Sequence, residues 1–92
     1  MGHVIVNTGA VMGAEVPVNS SAMQTVRLGF NPSKLERVDR IKSLAAALIS
    51  ECENLRDEAK EAGSAGGREA SIAITETQSA CMFAVAAATA NL

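Results

Sequence analysis

Apolar positions recur at spacings of three and four between residues 38 and 62, which is the pattern of an amphipathic helix. The stripe consists of Val38, Ile41, Ala45, Leu48, Cys52, Leu55, Ala59 and Ala62. Asn31 and Pro32 precede it, and the pair is typical of a helix start because asparagine caps well and proline suits the first helical position. The glycine-rich residues 63–67 predict a turn that ends this helix.

A second helix is predicted from about Arg68 to Asn91. Its stripe is made of small residues at the same spacing: Ala70, Ala73, Thr77, Ala80, Ala84 and Ala87. Small side chains let two antiparallel backbones approach closely, which favours a tight helical hairpin. The other faces of this helix are also apolar, Phe83 is expected in the core, and no charge follows Glu76. Two helices cannot bury such a surface alone, so we expect a homo-oligomer.

The first 29 residues are less regular. Short extended runs occur at 3–7 and 15–18, and they are expected to be broken by Gly9, Gly13 and Pro17. Alternation of Val26, Leu28 and Phe30 predicts a further short strand over residues 24–30. The expected fold is therefore mainly α: an antiparallel two-helix hairpin over residues 30–92 that carries assembly and ligand binding. An extended or β segment over residues 1–29 precedes it.

Composition narrows the class of protein. The chain has 92 residues, of which 48% are hydrophobic, and a formal net charge of −2, so a DNA-coating protein is disfavoured. His3 is the lone histidine, and Cys52 and Cys81 lack metal or redox spacing, so we expect two small core cysteines, no metal, no cofactor and no catalysis. The longest mostly apolar run, residues 80–88, is about half a membrane span. A soluble intracellular protein without a secretory signal is expected.

Several side chains are candidates for an anionic ligand. Arg68, Ser71, Thr75 and Gln78 share one helix face beginning at a helix amino terminus, which favours phosphate. The alternative is that the arginine is only solvated and the hydroxyls bond back to the preceding turn. Phe30 fits either base stacking or an apolar plug beneath the first helix. Lys42 lies beside Ile41 and Leu44, so its ammonium must reach solvent or meet an anion. A basic start to the first helix, against its dipole, also hints at an anion partner.

Four segments together resemble a known family: residues 26–33, 38–45, 68–78 and 82–85. They are similar to the helical hairpin of phage anti-CBASS and anti-Thoeris nucleotide sponges, and the resemblance covers about residues 26–90. It implies a homo-oligomer, a hexamer in several members, acting in the cytoplasm of the infected bacterium. Such proteins bind cyclic di- or trinucleotides or cyclic ADP-ribose-type signals without destroying them, and they are not enzymes.

The resemblance also implies roles for individual residues. Lys42 is expected to contact a cyclic dinucleotide and Phe30 to stack on a base. Apart from the resemblance, we expect Arg27 to join Lys42 as a second cation and Asn31 to be a further ligand-binding residue. Arg68 is expected in a separate cyclic trinucleotide site, with Ser71 and Thr75 on the same face. Many relatives have a tryptophan in place of Phe83 and a lysine in place of Ala86. The alternative function is a structural or adaptor assembly protein with no ligand.

Overall fold

A computed structural model describes residues 2–6 and 14–92. The elements of those residues run in the order β1 (Gly2–Val6), β2 (Ala14–Val18), α1 (Ser20–Thr25), α2 (Glu36–Ala62) and α3 (Gly67–Ala88). The mainly helical prediction is confirmed, and both predicted extended runs form strands. These pair antiparallel, with Gly2 opposite Val18. Pro17 does not break β2 but lies within it, opposite His3, as two-stranded sheets allow. The predicted breaks at Gly9 and Gly13 lie outside the described residues.

The hairpin of α2 and α3 is confirmed, together with its glycine-rich turn. Gly63 adopts the left-handed conformation at φ 64°. Its N–H donates to the carbonyl of Lys60, and the Ser64 N–H donates to the carbonyl of Ala59. This pair of hydrogen bonds is the Schellman motif, which satisfies carbonyls at a helix end and favours glycine. α3 then begins at Gly67 and runs back along α2.

The predicted start of the first helix is wrong by about four residues. Lys34 has a φ of 58°, which a right-handed helix excludes, so α2 begins only at Glu36. Asn31 does not cap the helix; its amide donates to the Leu35 carbonyl and to the Asp39 carboxylate instead. The first turn of α2 holds Glu36 and Asp39, which suits the helix dipole. The expected basic helix start is therefore also wrong.

The strand predicted over residues 24–30 is wrong as well. Residues 20–25 form α1, and the following residues form a turn rather than extended chain. The Leu28 N–H donates to the Met23 carbonyl at 3.0 Å, and the Arg27 N–H donates to the Gln24 carbonyl at 3.1 Å. These bonds end α1 in the same Schellman geometry that ends α2. The alternation of apolar residues here reflects a helix end that packs on the core.

The core joins the amino-terminal elements to the hairpin. It comprises Val18, Ala22, Val26, Ala45, Ala46, Ala47, Ile49 and Cys81. Because β2 and α1 pack on α2 beside α3, more of the α2 surface is buried than the stripe predicted. The buried face also points away from Leu48 and Leu55, which are exposed. On α3 the buried residues are Ala70, as predicted, and Cys81, whereas the predicted Ala80 is exposed. Phe83 is 76% exposed, so its expected place in the core is wrong for the single chain.

A polar cluster attaches the start of α1 to the middle of α2. The Asn19 backbone N–H donates to Ser50 Oγ at 2.9 Å, and the Asn19 side chain donates to Glu53 and Asn54. Ser21 Oγ donates to the same Glu53 oxygen at 2.9 Å. Since Glu53 is buried, these bonds compensate a carboxylate that would otherwise be costly to bury. The cluster fixes the direction in which α1 leads into the following turn.

Both cysteines are free and buried, which confirms their predicted role as small core residues. In the described part of the chain, none of the helices has the length and hydrophobicity that a membrane crossing requires.

Candidate functional site

The turn after α1 borders a cleft of about 410 Å³ between α1, α2 and α3. Its amino-terminal wall is formed by Thr25, Val26, Arg27 and Phe30, and Lys42 of α2 lies beside them. The opposite wall is one face of α3: Gln78, Cys81, Met82, Val85 and Ala86. The structure thus brings three sequence-predicted residues together at one place, namely Arg27, Phe30 and Lys42.

Arg27 occupies a backbone position that glycine normally takes. Its φ is 53°, and it ends α1 just as Gly63 ends α2. The left-handed conformation costs a non-glycine residue about 1 kcal/mol. The guanidinium carbon lies 4.8 Å from the centre of the Phe30 ring, a distance at which cation–π attraction is effective. A strained backbone therefore holds a cation over an aromatic ring, and strain of this kind clusters at ligand sites.

Lys42 is only 7% exposed, and its ammonium fulfils neither predicted alternative within the chain. It does not reach solvent; instead, Nζ donates to the Arg27 carbonyl at 3.1 Å and to the Phe30 carbonyl. The same atom lies 5.5 Å from the centre of the Phe30 ring. Lys42 therefore fastens both ends of the Arg27–Phe30 turn to α2 while it adds a second positive charge.

The charge of this site is not balanced by acids. Among the described residues, no carboxylate forms an ion pair with Arg27 or with Lys42. The partners of the Lys42 ammonium are neutral carbonyls and the cleft walls are largely apolar, so the field of this cation is weakly screened. Phe30 remains 53% exposed and offers a flat apolar surface. The arrangement suits a ligand that carries both an anion and a planar ring.

The α3 wall arises from helical periodicity. Gln78, Cys81, Met82 and Val85 follow each other at spacings of three, one and three, so they share one face of the helix. Burial raises the pKa of the Cys81 thiol above 9.0, and the Lys42 charge opposes part of that rise. The thiol is therefore protonated near neutral pH and acts as a small apolar group. Ala86 lines the same cleft.

The Cys81 thiol makes stability depend on pH. Because its pKa is higher in the folded state, the unfolded chain loses the thiol proton first, and the free energy of unfolding should fall as the pH rises above 9.0. Urea titrations between pH 8 and about 10.5 measure this slope, and Cys81→Ala should have a shallower one. An identical slope in both proteins would show that the thiol is not differentially protonated.

The remaining predicted residues lie elsewhere. Asn31 lines a neighbouring cleft of about 430 Å³ that also contacts Phe30 and Lys42, but its amide is engaged by Leu35 and Asp39. Arg68 is at the start of α3, about 15 Å along the helix from Gln78.

Around Arg68, the polar side chains largely bond within their own helix. The Ser71 hydroxyl donates to the Gly67 carbonyl at 3.0 Å and that of Thr75 to the Ser71 carbonyl at 3.4 Å, which is the back-bonding alternative. The Arg68 side chain is 80% exposed, and the one charged partner that it approaches among the described residues is Glu69, at 3.9 Å.

Sequence reasoning missed part of the cleft, above all Thr25 and the apolar residues of α3. The sequence predicts Gln78 on the polar face of the second helix, but it gives no sign that this residue lies near Phe30. The available signal was the spacing from Gln78 to Cys81, Met82 and Val85, which marks one helix face.

A helical hairpin whose cleft combines two cations with an exposed aromatic ring defines a small binding module for anionic, ring-containing ligands. A family model described as "Acb2/Tad1, hairpin domain" matches residues 23–89, from within α1 to just beyond α3. The chain therefore belongs to the Acb2/Tad1 hairpin-domain family, the phage anti-CBASS and anti-Thoeris sponge proteins. Membership implies sponge-like binding of cyclic nucleotide signals rather than catalysis. No curated protein and no solved structure shows a significant match to the chain.

Proposed function

We propose that this protein binds cyclic oligonucleotide or cyclic ADP-ribose-type immune messengers in the host cytoplasm and sequesters them without cleavage. The observation that carries the proposal is the pair of cations, Arg27 and Lys42, at one exposed aromatic ring, with no acid paired to either cation in the described parts of the chain. The family match includes all three residues. Arg27 donates to a messenger phosphate, Phe30 stacks on a base, and Lys42 supplies charge and holds the turn in place.

The cleft of one chain is at the lower end of the volumes that enclose a small ligand, so a second copy is proposed to complete it. Met82 and Ala86 line the cleft and also border a smaller depression beside the exposed Phe83. A copy that covers Phe83 would therefore adjoin the cleft directly. We expect a homo-oligomer, a hexamer by analogy with the family, that assembles through residues 30–92. Arg27 belongs to the segment before this region and contributes its side chain to the site.

A second ligand site is proposed at the start of α3. The N–H groups of its first turn lack a side-chain cap, and Arg68 extends beside them with most of its surface exposed. In a symmetric assembly several copies of Arg68 would surround one cyclic trinucleotide, and the hydroxyls of Ser71 and Thr75 keep lone pairs for ribose or base contacts. Neither DNA nor a membrane is proposed as a partner.

The second candidate is an assembly protein without a ligand. It is favoured by the exposed leucines of α2, since Leu44, Leu48 and Leu55 share one helix face and are each more than half exposed. This account predicts the same self-association. It differs in predicting no dependence of any ligand affinity on the cations.

Calorimetric titration with cyclic dinucleotides, cyclic trinucleotides and cyclic ADP-ribose isomers separates the two functions. Our proposal predicts tight binding by at least one class, and it predicts that Arg68→Ala weakens cyclic trinucleotide binding about tenfold or more with cyclic dinucleotide binding kept. Arg56→Ala is the matched control, because Arg56 is a surface arginine paired with Asp57. A folded oligomer that binds nothing in the panel would refute the sponge proposal and leave the assembly account.

A further inference from the structure

Gln78 has a carboxamide with no partner at the edge of the cleft. Within the described residues its side chain makes no hydrogen bond, whereas Thr25 Oγ1 donates to the Ser21 carbonyl and Lys42 donates to two carbonyls. Among the polar side chains of the cleft, this leaves Arg27 and Gln78 as the two that form no hydrogen bond within the described residues. Arg27 offers donors alone, as phosphate requires, but Gln78 offers both a donor and an acceptor.

A donor and an acceptor side by side distinguish the two purines. Adenine presents its N6 amino group next to the N7 acceptor, so a carboxamide forms two hydrogen bonds with it. Guanine presents two acceptors, O6 and N7, on the same edge. The carboxamide then forms one bond, and its own oxygen faces O6. Discrimination of this kind is strongest where water is excluded, because unpaired polar groups cannot be solvated there.

We infer that Gln78 selects adenine over guanine in the bound messenger, an inference that rests on the proposed function of the cleft. Gln78 and Phe30 stand on opposite walls of the same cleft, so a base that stacks on Phe30 can turn its edge to α3. Met82 and Val85 line the cleft on the same face of α3 as Gln78, and a base held between this face and Phe30 would displace water from the exposed carboxamide. Adenine is common to many cyclic dinucleotides and to cyclic ADP-ribose, so Gln78 can recognise the base in both proposed messenger types.

The test compares cyclic di-AMP with cyclic di-GMP, which differ only in their bases. The wild-type protein should bind cyclic di-AMP about tenfold more tightly. Gln78→Ala should lose this preference, and Gln78→Arg should reverse it, because arginine donates to both guanine acceptors. Glu76→Gln, an exposed substitution on the same helix, is the control and should keep the wild-type ratio. Circular dichroism establishes that each variant is folded.

The outcomes separate this inference from the function beneath it. Equal affinity of the wild type for both ligands, or a preference that survives Gln78→Ala, would overturn the role of Gln78 while the sponge proposal stands. Failure to bind cyclic di-AMP would also overturn the inference. Failure across the whole messenger panel would overturn the proposed function with it.

Discussion

Replacing Arg27 with glycine should weaken binding of a cyclic dinucleotide about thirtyfold without loss of stability. A hydrogen bond to a charged group contributes about 1.5–3 kcal/mol, and each 1.4 kcal/mol is tenfold in affinity. The variant also loses the cation that lies 4.8 Å from the Phe30 ring centre. Glycine relieves the left-handed backbone strain at this position, and this gain offsets its greater entropy in the unfolded chain. Calorimetry and urea unfolding measure the two effects separately.

The chain provides a matched control for that experiment. Lys34 is also a cation in the left-handed conformation, at φ 58°, and it is exposed in the segment before α2. Lys34→Gly should therefore reproduce the backbone effect on stability while ligand affinity stays at the wild-type value. Equal loss of affinity in both variants would show that only overall positive charge matters. A large loss of stability in Arg27→Gly would contradict the strain argument.

Lys42→Met should lower the free energy of unfolding by about 2 kcal/mol and weaken ligand binding at the same time. Methionine keeps the apolar stem packed in the core but cannot donate to the carbonyls of Arg27 and Phe30. The Phe30 carbonyl, whose bond to Lys42 is partly buried, loses its ammonium donor, and leaving a desolvated acceptor unsatisfied costs about 1–3 kcal/mol. Since the turn then loses its attachment to α2, Arg27 and Phe30 no longer hold their positions.

The appropriate comparison is Lys60→Met, which removes an exposed lysine from the last turn of α2. That variant should unfold at nearly the wild-type urea concentration and bind normally. Chemical unfolding gives the stabilities, and titration gives the affinities. If Lys42→Met is as stable as Lys60→Met, Lys42 does not hold the turn, and its role is confined to charge.

The hairpin was predictable because its signals are local. Regular spacing of apolar residues over α2, small residues over α3 and glycines between them all depend on neighbours a few positions apart. The rotation of α3 about its axis was less predictable, because that helix is apolar on almost every side. Its buried residues are Ala70, as predicted, and Cys81 in place of Ala80, and Gln78 lines the cleft beside Cys81.

The turn after α1 escaped sequence reasoning for a different reason. Helix ends of this geometry are recognised by glycine, and here the residue is Arg27. The apolar alternation around Leu28 then imitated a strand. The hydrogen-bond partners of Lys42 were equally unpredictable. They are backbone carbonyls 12 and 15 residues away, and every residue type has such a carbonyl. The sequence marks Lys42 and Phe30 as separate ligand candidates, and the structure supplies the physical connection between them.

The most direct test of the account is recovery of intact ligand from the complex. The purified protein is saturated with the cyclic dinucleotide that binds best and separated from free ligand. It is then denatured by heat, and the released nucleotide is analysed by chromatography. A sponge returns the unchanged messenger in the stoichiometric amount, and the same release from Arg27→Gly is greatly reduced. Linear or hydrolysed products, or an equal yield from Arg27→Gly, would contradict sequestration at the Arg27–Phe30 cleft.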